Sequence, residues 1–337
     1  MESDTAVVTA LSDNGSAARP GLAVFLVVAF GVAWGLWGLL WGAGGLARPE
    51  AFAVLVASMY APTLGVLAAW RFADPLALRL SGVRRRGPWR WYALALALVP
   101  VLLVLGAALC VLLGVQHVDP TFSTLREQAQ RLGRPMPPPP PLPVALLMAV
   151  PVVLLAPVFN VLATIGEELG WRGYLWGRLA PRGPRRAAVV IGVIWGVWHA
   201  PLIAMGYNYP ESPVLGPLLM VGMTTAFGVV LAWLRARSGS VWPAALGHGA
   251  INAEAGAVAV FFSPASRLVG VPIGVVALLP AAALAALLLW RGKWAPAAPP
   301  APLTDLPAGD EGGCQPADVL PADDQGAASS APTSRGA

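Results

Sequence analysis

Gly166-Glu167-Glu168-Leu169-Gly170-Trp171-Arg172-Gly173-Tyr174-Leu175 decides how the rest of the chain is read. Two adjacent carboxylates and an arginine stand at the end of a long apolar segment that begins near Val144. Insertion scales put a charged side chain at the bilayer centre at about 2.5–3.5 kcal/mol, so such residues are rare in apolar spans and usually functional. On a helix Glu168 and Arg172 lie four positions apart and can face each other, which offsets part of that cost. Glu167 points roughly 100° away and is expected to have no partner in its own segment. Its purpose has to be sought elsewhere in the chain.

The surroundings of that stretch are those of a membrane protein. Of 337 residues, 57% are hydrophobic and 12% charged, with mean hydropathy +0.66. A soluble domain is nearer one quarter charged, so composition alone implies an integral membrane protein. The net charge of +5 comes from arginines and the single Lys293. In such a chain that excess reads as topology rather than as nucleic-acid binding. Cys110 in an apolar run and Cys314 in a polar tail make neither a disulfide framework nor a zinc cluster.

Apolar runs fall at roughly 21–43, 51–71, 90–114, 144–166, 187–205, 214–234, 241–262 and 268–290. Each is about 20 residues, enough to cross about 30 Å of hydrocarbon as a helix. The expected fold is therefore an all-α polytopic bundle of about eight transmembrane helices. Arginine placement agrees with that number. Arg71, Arg79, Arg84, Arg85, Arg86 and Arg90 separate the second and third runs, and Arg178, Arg182, Arg185 and Arg186 separate the fourth and fifth. Arg235 and Arg237 follow the sixth run, and Arg291 and Lys293 the eighth. The alternate connections hold only Arg48, Arg126, Arg131, Arg134 and Arg267. The positive-inside rule then puts both termini in the cytoplasm, with the plasma membrane as the expected location.

Four regions follow: a cytoplasmic N-terminal tail over 1–20, helices and an external Pro-rich loop over 21–143, a catalytic core over 144–294, and a tail over 295–337. The first tail lacks the basic start of a signal peptide. The loop ends in Pro137–Pro141, which favours extended polyproline II and suits a stiff spacer. The last tail, rich in Pro, Ala, Gly, Ser and Asp, has the composition of a disordered segment.

Two of the three histidines, His199 and His248, lie inside apolar runs, and His248 shares a helix face with Asn252 four residues on. A lone intramembrane histidine is ordinarily a packed, hydrogen-bonded residue. Depth sets these two apart. Glu167 lies 11 residues before Arg178, His199 lies 13 after Arg186 and His248 lies 11 after Arg237. At 1.5 Å per residue these are depths of roughly 16–20 Å in straight helices. Polar groups from three separate spans thus reach one level of the membrane, as a single buried site requires.

The residues limit the chemistry. Neither a Gly-x-Ser-x-Gly elbow nor a His-Glu-x-x-His helix is present, and the one Gly-Asp pair, Gly309-Asp310, is in the tail. A carboxylate and an imidazole remain that can hold and deprotonate a water. His248 and Asn252 can donate to a developing oxyanion. The reaction class is water attack on a carbonyl, and the expected case is peptide hydrolysis. Trp171, Trp195 and Trp198 read as packing or interfacial residues, and Glu254 is set aside because it lies on another face from Asn252.

Glu167-Glu168-x-x-x-Arg172, the aromatic Trp195 four before His199, and His248-x-x-x-Asn252 together resemble the three signatures of the CPBP intramembrane protease family. This is the CAAX protease and bacteriocin-processing, or ABI, family, which includes Rce1-like prenyl-protein endopeptidases. The resemblance covers roughly residues 144–262, and Trp195 stands where the second signature usually has Phe. It implies an eight-helix, glutamate-dependent endopeptidase with its site inside the bilayer. By that resemblance Glu167 and His199 activate the water, His248 and Asn252 stabilise the oxyanion, and Glu168 and Arg172 support them. The family is often labelled metalloprotease. Glu167, His199 and His248 are the candidate metal ligands, and the cofactor stays open between zinc and none. The implied partners are the lipid bilayer and a membrane-embedded or lipid-anchored peptide or protein substrate, with no nucleic acid. The rival reading is a non-proteolytic membrane scaffold or a transporter using the same polar cluster, since intramembrane Glu and His also build proton relays.

Overall fold

The computed structural model describes residues 18–131 and 137–295. The expectations for most of the N-terminal tail, for part of the Pro-rich loop including Arg134, and for the C-terminal tail fall outside the described residues. Helices run in the order α1 (Ala18–Gly42), α2 (Ala51–Ser58), α3 (Ala61–Phe72), α4 (Ala77–Leu80), α5 (Arg90–Leu112), α6 (Ser123–Arg131) and α7 (Leu142–Glu168). A π-helical segment, Leu169–Leu175, continues α7 into α8 (Trp176–Leu179). Then come α9 (Pro184–Ala204), α10 (Leu215–Ser238), α11 (Trp242–Ala259) and α12 (Val275–Arg291). Among the described residues the only β pairing is an isolated antiparallel bridge between Val118 and Phe262.

The protein is an all-α, multi-pass integral membrane bundle. Among the described residues six segments are long and apolar enough to cross a membrane: Arg19–Gly42, Ala51–Phe72, Arg90–Leu112, Leu142–Arg182, Pro184–Ala204 and Leu215–Ser238. The other two expected spans are the helices α11 and α12, of 18 and 17 residues. His248, Asn252 and Glu254 interrupt the apolar character of α11. The second apolar run is broken at Met59–Tyr60, and Pro62 opens α3 in the first turn, where its missing N–H is not needed.

Lipid supplies little hydrophobic force between helices, so close backbone approach and side-chain hydrogen bonds hold them. α9 meets α10 through Gly192 and Gly196, four residues apart. A Cβ on Gly192 would lie 2.7 Å from Thr225 Cα, and one on Gly196 would lie 2.5 Å from Val221 Cα. Thr224 Oγ1 donates across that contact to the Gly192 carbonyl at 3.0 Å. α7 is tied to α11 by Thr164 Oγ1 donating to the Ala245 carbonyl (2.8 Å), and to α3 by Thr63 Oγ1 donating to the Gly166 carbonyl (2.6 Å). Trp198 Nε1 donates to the Ala29 carbonyl at 3.0 Å and joins α9 to α1.

The connections gather into two ends. At one, Trp242 Nε1 donates to the Val83 carbonyl (2.8 Å), Ser240 Oγ to the Arg85 carbonyl, and Arg237 Nη1 to the Ala295 carbonyl (2.5 Å). At the other, Gln116 Nε2 donates to the Ser263 carbonyl (2.6 Å), Tyr209 Oη to the Ile273 carbonyl (2.9 Å), and the Arg267 amide to Glu211 Oε1 (2.6 Å). The first end holds the arginine-rich connections. Arg178, placed among the loop arginines by sequence, is instead buried there in an ion pair with Asp74, which also accepts from Tyr174 Oη at 2.8 Å.

Candidate active site

Glu167 and Glu168 close α7 where the chain widens into the π-helical segment. Single π turns inside α-helices occur frequently at functional sites. Both carboxylates are buried, and they have different surroundings. Glu167 Oε2 accepts the indole N–H of Trp195 at 2.6 Å and, at the long distance of 3.4 Å, that of Trp171. Trp171 is four residues further along, so the expectation that Glu167 lacks a partner in its own segment is corrected. The physical reason is the same i,i+4 spacing that serves the neighbouring pair.

Glu168 Oε1 accepts from Arg172 Nη1 at 2.8 Å and pairs with His248 Nδ1 at 2.9 Å. Neither Glu168 nor Arg172 has any exposed side-chain surface. The Arg172 guanidinium stacks on the Trp195 ring, 4.3 Å from its centroid, and the Arg172 carbonyl accepts from Arg235 Nε at 3.0 Å. Glu168 Oε2 and Arg172 Nε and Nη2 have no hydrogen-bond partner among the described residues.

Trp195 is therefore the centre of the arrangement. Its edge holds Glu167 and its face carries Arg172. The rings of His248 and His199 lie 5.0 and 5.8 Å from its own, both edge-on. Its carbonyl pairs with His199 Nδ1 at 2.8 Å. A carbonyl only accepts, so Nδ1 carries the proton and the neutral ring keeps its lone pair on Nε2. The three tryptophans expected as packing or interfacial residues are all fully buried, so the interfacial reading does not hold. Trp171 and Trp195 are hydrogen-bond donors to a carboxylate, a role the sequence reading missed. The available signal was Trp171 at four residues from Glu167.

A cavity of about 660 Å³ brings Glu167, His199, His248 and Asn252 onto one lining, together with Trp195. Asn252 is exposed in it. Glu168 and Arg172 do not line the cavity and stand behind it. Glu254 does not line it either. It is fully buried in α11, and neither carboxylate oxygen has a partner among the described residues. Tyr207, Asn208 and Arg267, on connections rather than spans, also line the cavity and went unread in the sequence. Among the described residues no three His, Cys, Asp or Glu side chains form a group that could hold a metal ion. Glu167, His199 and His248 therefore make no ready ligand set for zinc, and no step below passes through a metal.

Fold and cavity define a polytopic membrane protein with a carboxylate, two imidazoles and a carboxamide converging inside its helices. Residues 148–253, which include all of these groups, match the model of the Rce1-like family, described as type II CAAX prenyl endopeptidase Rce1-like. Over this core the chain is similar to the CPBP/Rce1-like family. Over 79 residues it is 30% identical to CAAX prenyl protease 2 of Methanococcus maripaludis, a stretch that is 22% of this chain and 29% of that protein. The match thus spans less than a third of the curated relative's length.

Proposed function

We propose that the chain is an intramembrane endopeptidase that hydrolyses a peptide bond of a membrane-associated substrate, using a water activated by Glu167 and His199. The observation that carries this reading is the convergence of Glu167, His199, His248 and Asn252 on one cavity. Glu167 has one oxygen held by two indole N–H groups, so the carboxylate is fixed in orientation while its other oxygen is left to receive a proton. His199 offers Nε2 as an acceptor, which orients the water from a second direction. The water oxygen attacks the carbonyl carbon as its proton passes to Glu167. The oxyanion that forms is met by the Asn252 carboxamide and, in its doubly protonated form, by His248 Nε2–H. Collapse breaks the C–N bond, and the proton held by Glu167 passes to the leaving nitrogen.

Glu168 and Arg172 act behind this set, with Glu168 holding His248 by Nδ1 and Arg172 balancing the carboxylate. The name of the relative and the apolar lining, including Trp37, Phe52, Leu55, Met59 and Leu202, support a lipid-anchored or membrane-embedded peptide as substrate. The charge asymmetry supports both termini lying in the cytoplasm.

The test compares protein termini in membranes of cells carrying the natural chain with those carrying Glu167→Gln. A set of new termini that depends on Glu167 is expected. Identical sets, with both proteins present at equal level, would leave the scaffold reading in place of the protease.

A further inference from the structure

The connection after α9 carries a side chain with no part in activating the water. α9 ends at Ala204, and the chain then turns through Gly206, which is left-handed at φ 98°. The Gly206 amide donates to the Ile203 carbonyl at 2.9 Å, and the Tyr207 amide to the Leu202 carbonyl at 3.3 Å. These two bonds are the Schellman pair that closes a helix at a glycine. Asn208 also has a positive φ, 63°, and the Tyr209 amide donates across it to the Tyr207 carbonyl at 2.7 Å. Asparagine enters that region more readily than most side chains do. The turn is then anchored from both sides. Tyr209 is fully buried with its Oη on the Ile273 carbonyl at 2.9 Å, and Glu211 Oε1 accepts the Arg267 amide at 2.6 Å. The connection after α9 is thereby fastened to the one between α11 and α12.

This fastening holds Tyr207, whose side chain lines the cavity with Glu167, His199 and Asn252. Of the five tyrosines, Tyr60, Tyr92, Tyr174 and Tyr209 each donate to a carbonyl or a carboxylate. The Tyr207 hydroxyl makes no hydrogen bond among the described residues. Burial, and after it the charge of Glu167, pushes this phenol above its ordinary value, so it keeps its proton. It serves as a hydrogen-bond donor and not as an acid, because losing the proton would add a second negative charge to the site. The reacting carbonyl is already met by Asn252 and His248. An extended peptide advances about 3.3 Å per residue, so the carbonyls on either side of the reacting one enter the same cavity. We infer that Tyr207 is a substrate-binding residue, donating its hydroxyl to a backbone carbonyl of the peptide next to the bond that is cut. The inference rests on the proteolytic reading of this cavity.

The experiment is a double-mutant cycle between protein and substrate, run in detergent with a quenched peptide. The peptide's amides on either side of the cleaved bond are replaced one at a time by thioamides, whose sulfur is the weaker acceptor. Tyr207→Phe keeps the ring and removes the hydroxyl. It is expected to lower kcat/KM by about two- to tenfold, mainly through KM, with melting temperature unchanged. In the natural chain one thioamide position should cost a similar factor, and in Tyr207→Phe that position should cost nothing further. Equal thioamide costs at every position in the two proteins overturn the assignment, and so does an unchanged kcat/KM in Tyr207→Phe. A natural chain that cleaves no faster than Glu167→Gln would instead overturn the proteolytic reading, and this role with it.

Discussion

The indole N–H of Trp195 reaches Glu167 Oε2 at 2.6 Å, linking the first buried residue of the carboxylate pair to a helix that begins 17 residues later. The same ring sits under Arg172 and beside both site histidines. Trp195→Phe keeps an aromatic face for Arg172 but removes the donor, leaving Glu167 with the long contact from Trp171. A hydrogen bond to a charged group is worth about 1.5–3 kcal/mol. The variant is therefore expected to lower kcat by roughly ten- to a hundredfold, with smaller effect on KM, as cleavage of a quenched peptide in detergent would show. Unchanged kcat would mean that Trp171 alone orients the carboxylate.

The two glutamates should separate in opposite measurements. Glu167→Gln keeps shape and hydrogen-bond acceptance but removes the proton acceptor, so activity should fall by about 10²–10⁴-fold with protein yield unchanged. Glu168→Gln leaves Arg172 buried without its counter-charge. Breaking a buried pair from one side costs about 3–5 kcal/mol, so melting temperature and yield should both fall. Adding Arg172→Met should recover part of the melting temperature without recovering activity, because His248 still lacks its carboxylate. An unstable Glu167→Gln beside a stable Glu168→Gln would reverse the assignment.

Much of this site was legible because helical spacing survives into three dimensions. Glu168 and Arg172 face each other at 2.8 Å although the chain leaves regular α-helix between them. The helical runs also placed Glu167, His199 and His248 at one depth, and one cavity joins them. What spacing could not reveal is which side chains meet across helices. Trp195 is 28 residues from Glu167, and nothing in its hydropathy distinguishes a donor to a carboxylate from core packing. The break at Met59–Tyr60 was hidden for a similar reason, since both flanks are equally apolar. Asp74, between the second and third apolar runs, carries no signal in the sequence, yet it holds Arg178 in a buried pair. A loop charge and a buried charge look alike until the partner is seen.

Glu254, like Glu168, is fully buried, and neither of its carboxylate oxygens is bonded among the described residues. A buried polar group without a hydrogen bond costs roughly 1–3 kcal/mol in proteins. Glu254→Met, close in volume and apolar, is therefore expected to raise the melting temperature in detergent. Cleavage should be retained, since Glu254 does not line the cavity. A fall in melting temperature would show that the carboxyl has a stabilising partner.

Asp119 lies outside the spans and is buried at the start of α6. Its carboxylate accepts from the Thr121 amide (2.9 Å) and hydroxyl (2.6 Å), and from the Ser123 amide (2.7 Å) and hydroxyl. Burial pushes its pKa up, but these hydrogen bonds outweigh burial and hold the carboxyl well below its ordinary value. A group lowered in the native state stabilises fully above its unfolded pKa, near 3.9 for aspartate, and that contribution is lost as pH falls towards the native value. Hydrogen exchange at the Thr121 and Ser123 amides, corrected for intrinsic rates, should therefore lose protection as pH falls from about 5 to about 2. Asp119→Asn puts an amide donor where one oxygen accepts from Ser123, so protection should start lower and vary little with pH. Equal pH dependence in the two proteins would assign the change to another group.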